Sequence, residues 1–220
     1  MCGRYTLRAR LNQILEEFAV ENAPEWHPRY NIAPSQEILT VRMHEGRRVV
    51  ELRRWGLVPS WADDPKIGYK MINARAEGLA DKPSFRSAFK RHRCLVVADG
   101  FYEWQKSGDA KQPMFIHRRD DRPFAFAGLA EYWSKGDKPI ASATIITTEA
   151  NPLMTGIHDR MPVILPPEAY GIWLDSEFEG RDTLLALLKP YEPDDLTAVP
   201  VSTLVNSPKN EDPQCIEPLA

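Results

Sequence analysis

The second residue of the chain is a cysteine, and that position gives it chemistry no internal cysteine has. A small residue after the initiator methionine permits removal of Met1, which leaves Cys2 with both a free α-amine and a β-thiol. The amine adds to an aldehyde to give an imine, and the nearby thiol then closes a five-membered thiazolidine. An α-amine with an ordinary pKa of about 7.7 to 8.0 is substantially neutral near physiological pH and needs little activation. On position alone, a cysteine that happens to be encoded second is the plainer reading, so context decides. Met-Cys-Gly also opens the amidotransferases that turn an N-terminal cysteine on glutamine. Their openings continue in small apolar residues, whereas Arg4, Tyr5 and Thr6 follow here.

Cys94 and Cys215 complete an odd set of three, with no spacing that suits a disulfide framework or a Cys-x-x-Cys zinc site. Cys94 reads as a buried strand residue and Cys215 as a tail residue. Neither metal nor cofactor is expected. The chain of 220 residues, 43% hydrophobic and 27% charged, has the balance of an ordinary soluble globule. No apolar run approaches the ~18 residues of a membrane span, and no secretory leader follows Met1, so a cytoplasmic protein is expected. A formal charge of -3 argues against coating nucleic acid by bulk attraction, so any DNA site must be local.

The elements that must position such a site are legible in outline. Leu11, Ile14, Leu15 and Phe18 recur at helical spacing, which predicts one amphipathic helix over 9–20 after a short N-terminal strand. Runs at 38–42 and 49–55 flank His44-Glu45-Gly46, a hairpin or short turn. Residues 84–92 read as a short basic helix with Ser84 as its N-cap. Its cluster of Arg86, Lys90 and Arg91, with Arg93, reads as a solvated face. Strand-like runs follow at 93–98, 101–106, 112–118, 123–131 and 140–148. Two helices are expected at 166–174 and 182–189, the second capped by Asp182 and stopped before Pro190, and 198–202 returns as a strand. The expected architecture is α+β: a single domain over 1–220 with a curved, mainly antiparallel sheet or open barrel and flanking short helices.

Several blocks then resemble one family in order along nearly the whole chain. They are Cys2-Gly3-Arg4-Tyr5, Arg29-Tyr30-Asn31-Ile32-Ala33-Pro34, Trp55-Gly56-Leu57-Val58-Pro59-Ser60-Trp61, Ile72-Asn73-Ala74-Arg75-Ala76-Glu77 and Ala98-Asp99-Gly100-Phe101-Tyr102-Glu103-Trp104. Further along come Ile145-Ile146-Thr147-Thr148-Glu149-Ala150-Asn151, Ile157-His158-Asp159-Arg160-Met161-Pro162-Val163 and Val205-Asn206-Ser207-Pro208-Lys209-Asn210. All are similar to the SOS response-associated peptidase family, the abasic-site processing proteins.

That resemblance implies covalent capture of abasic single-stranded DNA. Cys2 is the implied nucleophile, Glu103 and His158 the acid and base that open the closed sugar, and Asn73 a group that orients it. Taken singly, Glu103 reads as the solvent side of an alternating strand and His158 as a loop histidine. The resemblance also implies DNA contacts from Arg4, Arg75 and Arg160 to phosphates, with Asn31 and Thr147 alongside and Trp61 and Pro34 stacking on bases or filling the gap beside the lesion. It further implies lyase-like crosslinking and a self-processing peptidase activity that exposes Cys2. The partner is abasic single-stranded DNA, with no membrane and no metal, and a monomer is expected. Two alternatives stand beside it, a glutamine amidotransferase and a plain single-strand binder.

Overall fold

The computed structural model describes residues 2–108, 110–191 and 194–219. The chain enters as a short strand, β1 (Tyr5–Leu7), then turns through α1 (Leu11–Glu17) into β2 (Arg29–Ile32). Ile14 within α1 and Phe18 at its C-cap are buried and turn the helix onto the core. β3 (Glu37–His44) and β4 (Arg47–Trp55) form a long antiparallel hairpin that closes with His44 opposite Arg47. The two residues between them, Glu45 (φ 48°) and Gly46 (φ 76°), are both left-handed. That pair makes the mirror-image turn whose twist matches a hairpin, and glycine takes its second position without strain.

β5 (Asn73–Arg75) and α2 (Arg86–Arg91) precede the centre of the molecule, built from β6 (Arg93–Ala98), β7 (Gly100–Ser107), β8 (Ala110–Arg118), β9 (Phe124–Trp133) and β10 (Ile140–Glu149). After α3 (Pro152–Thr155) come β11 (Arg160–Pro162), β12 (Ile164–Leu165), α4 (Tyr170–Leu174), α5 (Arg181–Ala186) and β13 (Leu196–Pro200). One sheet runs β13-β8-β7-β1-β2 and the other β11-β10-β4-β3-β6-β9-β12. Because β9 also pairs with β10, strands β3, β4, β10, β9 and β6 close into a ring. The pairing is mostly antiparallel; β4 and β5 run parallel to β10. The α+β expectation therefore holds, with the barrel closed rather than open. Closure leaves those five strands without a free edge.

The two sheets share one core. Tyr5 of β1 meets Trp55 of β4 and Phe126 of β9 edge-on, at ring separations of 5.3 and 5.8 Å. The first strand is thereby pinned against the barrel, which decides where Cys2 sits. Asp99, in the bend between β6 and β7, adds a polar clamp: its buried carboxylate accepts from Thr6 Oγ1 at 2.6 Å, Ala9 N at 2.8 Å, Arg8 N and Arg8 Nε.

Three local expectations need correction. Phe85, not Ser84, stands at the N-cap of α2, because Phe85 is buried and the preceding turn is closed by its N–H on the Lys82 carbonyl. Gly180 precedes α5, so Asp182 lies inside the first turn, where a carboxylate still complements the helix dipole without capping it. Arg93 is not solvated: its guanidinium donates to the carbonyls of Phe89, Lys90, Trp173 and Asp175, fastening the ends of α2 and α4. Arg86, Lys90 and Arg91 are exposed as expected. Cys94 and Cys215 are both buried, so the tail cysteine is also a core residue.

Candidate active site

Alternation along β7 sends Phe101 and Glu103 to one face and Tyr102 to the other. Both faces are covered. Phe101 belongs to the main core, Tyr102 to a second cluster with Phe115, Val201, Val205 and Cys215, and Glu103 retains only 3% of its exposure. The reading of Glu103 as a solvent-facing strand residue is therefore overturned. Beside it runs the segment leading into β1, tied to β7 by the Tyr102 N–H on the Arg4 carbonyl at 3.0 Å. Cys2 at its head is fully buried. Asn73, the first residue of β5, donates from Nδ2 to the Cys2 carbonyl at 2.7 Å, bringing together residues 71 apart in sequence. Its Oδ1 is buried and has no hydrogen-bond partner among the described residues. Met1, whose removal the proposed chemistry requires, lies outside them.

His158 joins the group through its electrostatic coupling to Glu103. Asn151 caps α3 by accepting from Met154 N at 2.9 Å, Pro152 follows at the first helical position, and the helix ends with the His158 N–H on the Met154 carbonyl. The Arg160 N–H donates to His158 Nδ1 at 3.0 Å, which places the proton of the neutral ring on Nε2. Asp159 Oδ1 lies 2.8 Å from the same Nδ1 and can accept from it once the ring is charged.

Electrostatics couple these groups. Burial raises the Glu103 carboxyl above its ordinary range, and the charge of His158 pulls it partly back. The Cys2 thiol is pushed far up by burial and by Glu103, so it rests as a thiol. A buried carboxyl with a raised pKa, an imidazole and a thiol thus interact electrostatically, a set able to give and take protons around Cys2.

The other expected site residues form two pairs, with three more placed singly. Arg4 is half-buried and donates to Asn31 Oδ1 and the Val205 carbonyl, each at 2.7 Å. Asn31, fully buried, donates in turn to the carbonyls of Val205, Ser207 and Asn210. Arg160 and Thr147 lie together on β11 and β10: Arg160 Nη2 donates to the Thr147 carbonyl at 2.7 Å, and the guanidinium forks onto the Glu77 carboxylate. Arg75 is exposed on β5. Pro34 is half-buried in the turn before β3. Trp61 stands apart, 53% exposed, beside the small cluster of Val58, Ala62 and Trp133. A cavity of about 740 Å³ opens next to His158 and is lined by Trp104, Lys106 and Lys111. No group of three or more metal-ligating side chains gathers among the described residues, and no helix is long and apolar enough to cross a membrane.

Residues 1–208 match the model of the SOS response associated peptidase (SRAP) family. The chain belongs to that family. It is 49% identical over 222 residues to the abasic site processing protein YoqW of Bacillus subtilis, with 99% of each chain covered. The abasic site processing protein YedK of Escherichia coli is 31% identical, with both chains covered in full. HMCES of Gallus gallus, also named an abasic site processing protein, is 38% identical and aligns with all of this chain and 78% of its own length. A crystal structure of a protein from Bacteroides thetaiotaomicron superposes with a TM-score of 0.90 at 25% identity, covering both chains fully.

Within this SRAP fold, three residues near the group went unremarked in the sequence. Glu77 holds Arg160, Trp104 donates from Nε1 to Asn206 Oδ1 at 2.7 Å, and Asp99 clamps the approach to β1. Each lies inside a family block, but nothing in a single sequence pairs positions 77 and 160 or 104 and 206. The Arg4 guanidinium, 5.9 Å from the Trp104 ring centroid, joins that second pair to the N-terminus.

Proposed function

We propose that the chain processes abasic sites in single-stranded DNA by capturing them covalently on Cys2. Loss of Met1, by the chain's own peptidase activity or by a general aminopeptidase, comes first. An abasic deoxyribose is mostly a closed hemiacetal. One of Glu103 and His158 removes the proton of its C1′ hydroxyl while the other protonates the ring oxygen, which frees the aldehyde. The Cys2 amine adds to C1′ and water leaves, giving the imine. The thiol then adds to the imine carbon as its proton passes to nitrogen, closing the thiazolidine with no change of oxidation state. Asn73 orients the sugar, and its buried Oδ1 is an acceptor waiting for a donor such as a sugar hydroxyl. Arg4, Arg75 and Arg160 serve the flanking phosphates, with Trp61 and Pro34 against bases. No cofactor or metal is required.

The observation that carries this reading is the burial of Glu103, its carboxyl pKa raised, within electrostatic reach of both Cys2 and His158. The relatives' names support abasic sites as what is processed. Intact mass after mixing with an oligonucleotide that bears one abasic site tests it. One protein, lacking Met1, should add one strand with loss of one water, and Cys2→Ala should add none while still binding single strands reversibly. Cys2→Ser should give no durable product, because an oxazolidine reverts far more readily than a thiazolidine. An equal adduct yield from Cys2→Ala would remove Cys2 from the chemistry, and binding without any adduct would leave a plain single-strand binder.

A further inference from the structure

Arg160 presents its guanidinium in an unusual way. Its Nε is buried with no hydrogen-bond partner among the described residues, and Nη2 is already held by the Thr147 carbonyl, so the edge shared by Nε and an Nη is turned inward. Nη2 is anchored on the Thr147 carbonyl at 2.7 Å, and that carbonyl also accepts the Ala76 N–H at 2.9 Å. The guanidinium is therefore fixed relative to β10 and to the end of β5. What it offers outward is the Nη1–Nη2 edge. Glu77 occupies that edge in full, Oε1 on Nη1 at 2.7 Å and Oε2 on Nη2 at 2.9 Å.

A carboxylate and a phosphate present the same pair of acceptor oxygens to this fork. With the other edge buried, both cannot hold it at once. We propose that Glu77 is a built-in stand-in for a DNA phosphate, occupying Arg160 while no strand is bound and displaced from it when a strand docks. This inference rests on the reading of Arg160 as a phosphate contact.

Exposure suits Glu77 to leave. Its side chain is 58% exposed while that of Arg160 is 12% exposed, so the carboxylate can return to water and the arginine stays put. Arg75, exposed at the end of β5 two residues earlier, adds positive charge felt by Glu77.

The exchange bears on selectivity. Displacing Glu77 weakens binding to every strand alike, damaged or not, because phosphates carry no sequence or lesion information. A protein that commits itself covalently at the lesion loses little by this. It gains shorter residence on the excess of intact DNA.

Anisotropy titrations with a fluorescent, undamaged single-stranded oligonucleotide test the inference without any covalent step. Glu77→Gln should bind roughly three- to tenfold more tightly than wild type, the range expected when a partly exposed ion pair no longer competes and a like charge is removed from the phosphate's path. Arg160→Ala should bind more weakly. In the Arg160→Ala background, Glu77→Gln should lose most of its gain, since the two act through one contact. If Glu77→Gln instead weakens binding while Arg160→Ala also does, Glu77 orients the arginine for DNA and the exchange is wrong, although the phosphate role of Arg160 survives. If Arg160→Ala binds like wild type, the phosphate role fails and the exchange falls with it. Melting curves for both variants establish that each is folded at the titration temperature.

Discussion

Glu103 is the residue whose position most constrains the chemistry. A buried carboxyl with a raised pKa keeps its proton to higher pH than a surface glutamate would, which suits a group that must both donate and accept near neutrality. If Glu103 and His158 open the sugar, Glu103→Gln and His158→Ala should each slow crosslinking to a natural abasic site by ~10² to 10⁴ while leaving the fold intact. An open-chain aldehyde in the same DNA context skips ring opening. On that substrate Glu103→Gln should recover part of its rate and Cys2→Ala none. Single-turnover crosslinking on both substrates checks this, and wild-type rates on the closed sugar would remove both residues from the mechanism. Burial makes a separate prediction about stability. With its pKa higher in the folded than in the unfolded chain, Glu103 holds more proton when folded, so its contribution to stability is intact below the unfolded pKa of about 4.3 and declines as pH rises through the folded value. Glu103→Gln, which never ionises, should therefore melt above wild type at pH 7, and the gap should close near pH 4. A gap that widened on acidification would show that the native site favours the carboxylate.

At the scale of elements, the site depends on what holds β1. Three residues supply it. Tyr5 packs on Trp55 and Phe126, Arg4 is drawn toward Val205 and Asn206, and Asp99 gathers Thr6, Arg8 and Ala9. Hydrogen bonds to a charged group are worth about 1.5 to 3 kcal/mol each, and removing the acceptor strands buried donors. Asp99→Ala should accordingly cost about 3 kcal/mol, read as a lower denaturant midpoint. Crosslinking measured well below that midpoint should also slow, because the segment carrying Cys2 loses its clamp; unchanged crosslinking would mean that packing by Tyr5 alone positions the nucleophile. The same comparison shows which elements the sequence could disclose. Apolar spacing marked α1, and His44-Glu45-Gly46 marked the hairpin, because both signals are local. The N-caps of α2 and α5 were missed where chain geometry outweighed side-chain capping: buried Phe85 stands at the first and Gly180 at the second. Closure of the barrel through the β9–β10 pairing left no mark in any one segment. Glu103 was misread on its own terms because alternation tells which residues share a face and not whether that face is covered.

Across the whole molecule, a formal charge of -3 argues against bulk attraction, so in the proposed complex with a single strand a few fixed guanidiniums must do what a basic surface does elsewhere. The fold treats its candidate arginines unequally. Arg4 is committed to Asn31 and the C-terminal segment, Arg160 is engaged by Glu77, and Arg75 is exposed on β5 two residues from Asn73. Asn73 and Arg75 share a short strand, and because side chains alternate, both lie on the face opposite buried Ala74. Their duties should nevertheless separate in solution. For single strands each phosphate contact contributes about 0.7 to the slope of log affinity against log salt. Arg75→Ala should therefore weaken binding to an undamaged oligonucleotide and flatten that slope by about 0.7, with the adduct rate restored at saturating DNA. Asn73→Ala should leave the slope unchanged and lower the adduct rate even at saturation, since its Nδ2 holds the Cys2 carbonyl and its Oδ1 faces the sugar in the proposed complex. Titrations from low to high salt, paired with single-turnover crosslinking at saturating DNA, measure both quantities on the same samples. Parallel losses of affinity alone in the two variants would show that β5 serves only to grip the strand, and would move the orienting role away from Asn73.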